Sequence, residues 1–306
     1  SIGRWSVDGV VPLSTSLDTT GLLARTVSDA VLGFSVIDPR VHNSGFGFLA
    51  ALRDIAVTDL QIGVCDWFFD SCDPGIAEGV KTALDELAAD PQLLVLVVRG
   101  GGERAFSAGS DISEFPDYLA DGNVVEKKLR YENETLVKLD NFPKPTIAAL
   151  NGLAYGGGLE LAVCCDLIVA DETAKLSLPE IKLGVFPGSG GTLRVTRRIG
   201  SARAKEMMFL GEPISAAQAL DWGLINRLAA KGRAVEVAMA LAGELSQRPN
   251  IALQACKKAI HQSFELADDA AIEQVLSLME KTFASDDGRE GVRAFFAKED
   301  PKFRHS

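Results

Sequence analysis

Residues 146–170 read TIAALNGLAYGGGLELAVCCDLIVA, and the organisation of the chain follows from this stretch. Thr146–Leu150 is short, apolar and led by β-branched residues, the pattern of a buried strand. Asn151-Gly152 is a turn signal. Gly156–Gly158 then opens a short apolar helix running through Cys165, and Leu167–Ala170 returns to a buried strand. Strand, helix and strand in such quick succession predict an α/β core. The stretch is apolar enough to suggest a membrane span, but Asn151, the triple glycine, Glu160 and Asp166 argue against one.

Working towards the N-terminus, Leu93–Val98 is another continuous apolar run of strand length. Asp73-Pro74 supplies an N-cap and a first-turn proline for a helix carrying Ile76, Val80, Leu84 and Leu87 on one face, and Pro91 ends it. A helix is predicted over 123–140, with Val125, Leu129, Leu136 and Leu139 inward. Towards the C-terminus, helices are predicted near 201–210, 215–222, 233–247, 250–266 and 268–284, a helical layer added to the α/β core. Residues 1–50 are rich in Gly, Ser and Thr. No internal repeat or low-complexity tract interrupts the chain.

The 306 residues are 47% hydrophobic and 24% charged, the balance of a globular chain. A net charge of −11 disfavours general nucleic-acid binding, which needs a concentrated basic surface. The five cysteines form no Cys-x-x-Cys pair, and most are expected to be small buried residues in a reducing compartment. The three histidines show no metal-ligand spacing. A soluble, cytoplasmic protein is expected, with no membrane or nucleic-acid partner and no metal.

Glu160 is the candidate for proton chemistry. It stands between Leu159 and Leu161, with no Lys or Arg in residues 146–170, and burial of an ionised carboxylate there would raise its pKa towards a useful value. A glutamate on a solvated helix face is the alternative reading. Gly156–Gly158 would let a ligand approach the backbone closely and present N–H groups at a helix start. Ser107-Ala-Gly-Ser110 offers a second small-residue loop after a strand. Two amides converging on a thioester oxygen would form an oxyanion hole, each worth about 3 kcal/mol. Gly100-x-Gly102-x-x-Ala105 fits dinucleotide-binding spacing, but Phe106-Ser-Ala-Gly109 is a poor helix start, so that reading is set aside.

These stretches together resemble the crotonase (enoyl-CoA hydratase/isomerase) family from about residue 90 to the C-terminus. The motifs are Ala105-Phe-Ser-Ala-Gly-Ser-Asp111, Lys144-Pro-Thr-Ile-Ala-Ala-Leu-Asn-Gly152, Gly156-Gly-Gly-Leu-Glu160, Leu178-Pro-Glu180, Phe186-Pro-Gly-Ser-Gly-Gly191 and a tail over 283–295. The resemblance implies a spiral of ββα units with a C-terminal helical trimerisation layer. It also implies an acyl-CoA substrate and a homotrimer or dimer of trimers. Residue by residue, it implies Glu160 and Glu180 as the catalytic carboxylates and the backbone N–H groups of Ser110 and Gly157 as the oxyanion hole. Gly188 would position water, and Arg104, Ala108, Asp111 and Ile112 would meet CoA. No cofactor is expected, since CoA is part of the substrate. Both carboxylates together imply hydration of a trans-2-enoyl-CoA to a 3-hydroxyacyl-CoA, with enoyl isomerisation or a catalytically impaired oligomeric scaffold as alternatives.

The front of the chain differs. Gly3-Arg-Trp-Ser6, the run from Gly9 to Gly21, Ala24-Arg-Thr-Val-Ser-Asp-Ala30 and Leu60-Gln-Ile-Gly-Val64 resemble the amidase-signature family over roughly residues 1–88. Neither Ser14 nor Ser16 matches that family's nucleophile, so an irregular, catalytically inactive appendage is expected. By length, Gln61–Val64 can stand in for a crotonase strand and Cys65–Cys72 for the Asn-Ala-Leu-type loop that crotonases use to cup CoA. The expected division is 1–72 amidase-like fragment, 73–230 ββα core and 231–306 helical region.

Overall fold

The computed structural model describes residues 61–64, 74–102 and 104–305. They begin with strand β1 (Gln61–Val64) and helix α1 (Pro74–Ala89). One unit then recurs: a strand in one sheet, a shorter strand in a second sheet, then helix. The first is β2 (Leu96–Gly100), β3 (Ala105–Ser107), α2 (Phe115–Asp121) and α3 (Arg130–Asp140). The second is β4 (Thr146–Leu150), β5 (Leu153–Tyr155) and α4 (Gly157–Ala162). The third is β6 (Leu167–Asp171), β7 (Lys175–Ser177) and α5 (Gly191–Leu210). Strand β8 (Ile214–Ser215), α6 (Ala216–Trp222) and β9 (Arg227–Ala229) complete the sheets. Helices α7 (Ala234–Ser246), α8 (Asn250–Gln262), α9 (Asp268–Ala284) and α10 (Asp286–Ala297) follow. This is the crotonase spiral.

The larger sheet runs β1-β2-β4-β6-β9 with every neighbouring pair parallel, and the smaller runs β3-β5-β7-β8 with only β7–β8 antiparallel. Its alternating side chains explain why the long strands read as unbroken apolar runs. Val98, Ala148, Leu150, Ile168 and Ala170 enter a core shared with Phe106, Leu159 and Val195. Val97, Ile147, Ala149 and Val169 point the other way, into a second core with Ala238 and Leu241 of α7. Both faces are covered, so neither needs polar residues. Truncating Phe106, wholly buried, would cost about 3–5 kcal/mol.

Polar side chains tie the units together. Asn151 accepts from the Gly100 N–H (3.2 Å) and donates to the carbonyls of Ala105 (3.2 Å) and Gly102. Buried Lys144 donates to the carbonyls of Leu87 (3.2 Å) and Asp90, closing the end of α1, and burial lowers its pKa. Asp166 accepts from the Thr146 N–H (2.8 Å) and pairs with Lys257 of α8 at 2.8 Å.

Several elements depart from their sequence pattern. The strand expected at Leu93–Val98 lies at Leu96–Gly100, and Leu93 is buried without belonging to it. The strands β3, β5 and β7 are three residues each, too short to show a period. The helix expected over 123–140 starts as a single π turn, Val125–Leu129, before α3. Its wider turn breaks the 3.6-residue period, and Val125 is 57% exposed rather than inward. Helix α5 starts ten residues before the expected 201, and Gly200 kinks it. The glycines after β2 lead into a strand, so no dinucleotide-binding helix opens there. Cys164 and Cys165 are buried, burial pushing the Cys165 thiol up to about 12, whereas Cys256 is exposed; Cys65 and Cys72 lie outside the described residues.

Candidate active site

The start of α4 is held against β7 by the Gly156 N–H donating to the Ser177 carbonyl at 2.9 Å. One turn later Glu160, only 3% exposed, faces the loop that precedes α5. Its Oε1 accepts the N–H groups of Ser189 and Gly191, each at 2.8 Å. That loop needs Gly190: its φ is +94°, and a Cβ there would run into the Arg194 guanidinium. Arg194 in turn donates to the Ser189 carbonyl at 3.3 Å and pairs with Asp140 at 3.0 Å. Burial pushes Glu160 up to about 7; neighbouring Glu180 and Glu132 also raise it, against the opposing pull of the two amides.

Glu180 opens the 3-10 turn Glu180–Leu183. Its carboxyl lies over Gly156, where an added Cβ would sit 3.3 Å from Oε1. Burial raises this carboxyl as well. Its Oε2 is buried and has no hydrogen-bond partner among the described residues. Burial thus raises both carboxyls, and the charge of Glu180 adds to the rise at Glu160.

The two backbone segments singled out in the sequence face each other. A Cβ on Gly157 would lie 3.7 Å from the Ser110 nitrogen, and one on Gly109 would lie 3.1 Å from the Gly157 nitrogen. Gly109 has φ +94° and only 2.8 Å between such a Cβ and the Tyr155 carbonyl, so no larger residue fits this approach. Among the described residues neither the Ser110 nor the Gly157 N–H donates to a protein acceptor. Ser110 from the loop after β3, Gly157 and Glu160 from α4 and Glu180 from the 3-10 turn therefore gather at one place, with the loop before α5 closing on Glu160.

The other predicted residues lie around this cluster. Gly188 is exposed, directly precedes Ser189, and its carbonyl accepts from Asn133 at 2.9 Å. Arg104 and Ala108 are exposed at the two ends of β3, and Ile112 is exposed beyond Ser110. Asp111 caps the following turn through the Ser113 N–H at 2.8 Å; its hydrogen bonds with Ser113 lower its pKa.

Sequence reading missed Glu132 altogether. On α3 this side chain accepts from the Ser110 hydroxyl at 2.9 Å and the Ser189 hydroxyl at 3.0 Å, and pairs with buried Lys128 at 3.3 Å. Nothing in the local pattern distinguishes it from the other acids of that helix. Arg194 and the Ser189 and Gly191 amides were likewise unmarked, beyond the Gly-Ser-Gly-Gly motif itself.

Comparison with known proteins gives the family. The family model "Enoyl-CoA hydratase/isomerase" matches residues 71–306, and the model "Amidase" matches residues 1–98. The 2,3-dehydroadipyl-CoA hydratase of Escherichia coli is 38% identical over 221 residues, 72% of this chain and 85% of the relative. The mitochondrial enoyl-CoA hydratase of Pongo abelii is 36% identical over 279 residues, 90% of each chain. The crystal structure of an enoyl-CoA hydratase from Bacillus anthracis superposes with a TM-score of 0.70 at 30% identity, covering 76% of this chain and 90% of that one. With its ββα spiral, its four converging segments and a family match over most of its length, the chain belongs to the enoyl-CoA hydratase/isomerase family.

Proposed function

We propose that the protein is an enoyl-CoA hydratase that reversibly adds water to a trans-2-enoyl-CoA to give a 3-hydroxyacyl-CoA. The observation that carries this reading is the pair of carboxyls raised by burial, Glu160 in the core and half-buried Glu180 beside Gly156, next to two facing amides without a protein acceptor. The Ser110 and Gly157 N–H groups would take the thioester oxygen and hold the negative charge that develops there. The two carboxyls would share one water. Its oxygen adds to C3 as one carboxyl takes its proton, and a proton from the pair goes to C2. Atoms balance without a redox or metal cofactor. CoA itself belongs to the substrate.

Arg104 is exposed and suits the CoA phosphates, with Ala108, Asp111 and Ile112 along the same loop and Gly188 beside the water. The C-terminal helices carry an exposed apolar surface that fits assembly as a trimer or paired trimers. No helix among the described residues is long and apolar enough to cross a membrane, which suits a cytoplasmic enzyme. Residues 1–72 are read as an amidase-like fragment fused to this enzyme, without amidase activity.

The test is loss of the conjugated enoyl-thioester absorbance when the purified full chain meets short, long, branched and aromatic enoyl-CoAs. Water incorporation with at least one of these is expected. Double-bond migration without water uptake, or no turnover with any, would overturn the hydratase reading.

A further inference from the structure

Three side chains, Ser110, Ser189 and Lys128, meet on one carboxylate, and through the two serines it links the two halves of the site. Glu132 Oε1 accepts from the Ser110 hydroxyl (2.9 Å), and Oε2 accepts from the Ser189 hydroxyl (3.0 Å). Each serine has a second duty through its backbone. The Ser110 N–H faces Gly157, and the Ser189 N–H donates to Glu160. Lys128, four residues earlier and buried, pairs with Glu132 at 3.3 Å. We propose that Glu132 is a positioning residue for the hydration reaction: a carboxylate clamp that holds the oxyanion-hole loop and the Glu160-anchoring loop at a set separation, and holds a negative charge beside Glu160.

The chemistry makes this a demanding arrangement. The thioester oxygen must sit on the Ser110 amide while C2 and C3 sit over the carboxyls, so the distance between the two loops sets the alignment of the reacting atoms. Loops of small residues cannot hold that distance by packing. A carboxylate has two oxygens at a fixed spread, and each hydroxyl bond to an ionised acceptor is among the stronger hydrogen bonds. The charge matters as well. Glu160 faces Glu180 on its 3-10 turn, Glu132 with Lys128 along α3 and the π turn before it, Arg194 with its partner Asp140 on α5 and α3, and Cys164 just after α4. Glu180 and Glu132 are the acids that raise Glu160 within this set, and the Gly191 and Ser189 amides oppose them.

The inference rests on the hydratase reading for its kinetic consequence only. Glu132→Gln preserves volume, removes the charge and leaves one acceptor oxygen. The double variant Ser110→Ala, Ser189→Ala removes both tethers and leaves the charge. Both, shown folded by circular dichroism, are expected to lower kcat by about 10-fold with KM changed by less than about threefold. Infrared titration of the ligand-free proteins, with the Glu160 band identified by Glu160→Gln, separates the two roles. Glu132→Gln should move the Glu160 titration to lower pH, and the double variant should leave it high. A purely structural Glu132 would lower thermal stability without this split. A Glu132→Gln protein with wild-type kcat, or an unmoved Glu160 titration, overturns the proposal. Because the infrared readout needs no turnover, a wild-type chain that hydrates nothing would sink the hydratase reading and leave this one to be decided by the titration.

Discussion

Helices α4 and α9 are both apolar, yet they stand at opposite ends of burial. In six-residue α4, five residues are buried, Glu160 among them. In seventeen-residue α9 none is buried, and Ile272, Leu276, Met279 and Phe283, spaced to form one stripe, remain exposed, Phe283 by 61%. The first helix finds its cover within the chain, against β3 and β5 of the smaller sheet and α5. Among the described residues the second packs chiefly against α8 and α10, leaving its apolar stripe open. The candidate site is thus assembled by one chain, while the helical tail asks for another surface, which is what the proposed trimer would supply.

The sharpest way to break this contrast is at the carboxyls. Glu160→Gln and Glu180→Gln should each lower turnover by about 10²–10⁴ in a folded protein, measured on any enoyl-CoA that the wild type hydrates. Near-normal rates in either variant would mean that burial of α4 serves packing alone. Leu276→Glu with Phe283→Glu attacks the other side. If two such side chains each gain roughly 1.5–3 kcal/mol on association, the variant should sediment as a monomer while the wild type does not. Identical sedimentation of both would leave α9 without a partner.

Gly157→Pro removes the amide donor at the first position of α4, where a proline is tolerated, and should cost at least about 3 kcal/mol, or 100-fold in rate. The carboxyl of Glu160 also couples activity to stability. Its pKa is raised from 4.5 to about 7 on folding, so its stabilising contribution is complete below pH 4.5 and is lost as pH rises through 7. Between pH 4.5 and 8 the wild type should lose about 3 kcal/mol that Glu160→Gln keeps. Urea midpoints of the two proteins at both pH values check the sign, and a difference that does not widen with pH would contradict burial of the charge. The smallest effect belongs to Ser110→Ala. The amide remains and one tether to Glu132 is lost, so activity should fall by no more than about fivefold. An inactive Ser110→Ala protein would make the hydroxyl itself a catalyst.

Much of the architecture was legible because it follows from local chemistry. Buried strands announce themselves as apolar runs, and Thr146–Leu150 and Leu167–Ala170 lie close to where their composition puts them. Glu160 was legible as a lone acid in an apolar helix. The three-residue strands were not, since so short a segment has no period, and the π turn at Val125 shifted one face of a helix that otherwise followed its pattern.

The sequence by itself determined the strand–helix alternation, the place of Glu160 and the glycine segments that admit a ligand, because each depends on residues adjacent in the chain. Only the tertiary structure decided that Ser110 faces Gly157, that Glu180 perturbs Glu160, and that Glu132 reaches two serines 22 and 57 residues away. Those relations are set by how the ββα units stack on one another, and distance through a packed core leaves no trace in the order of residues.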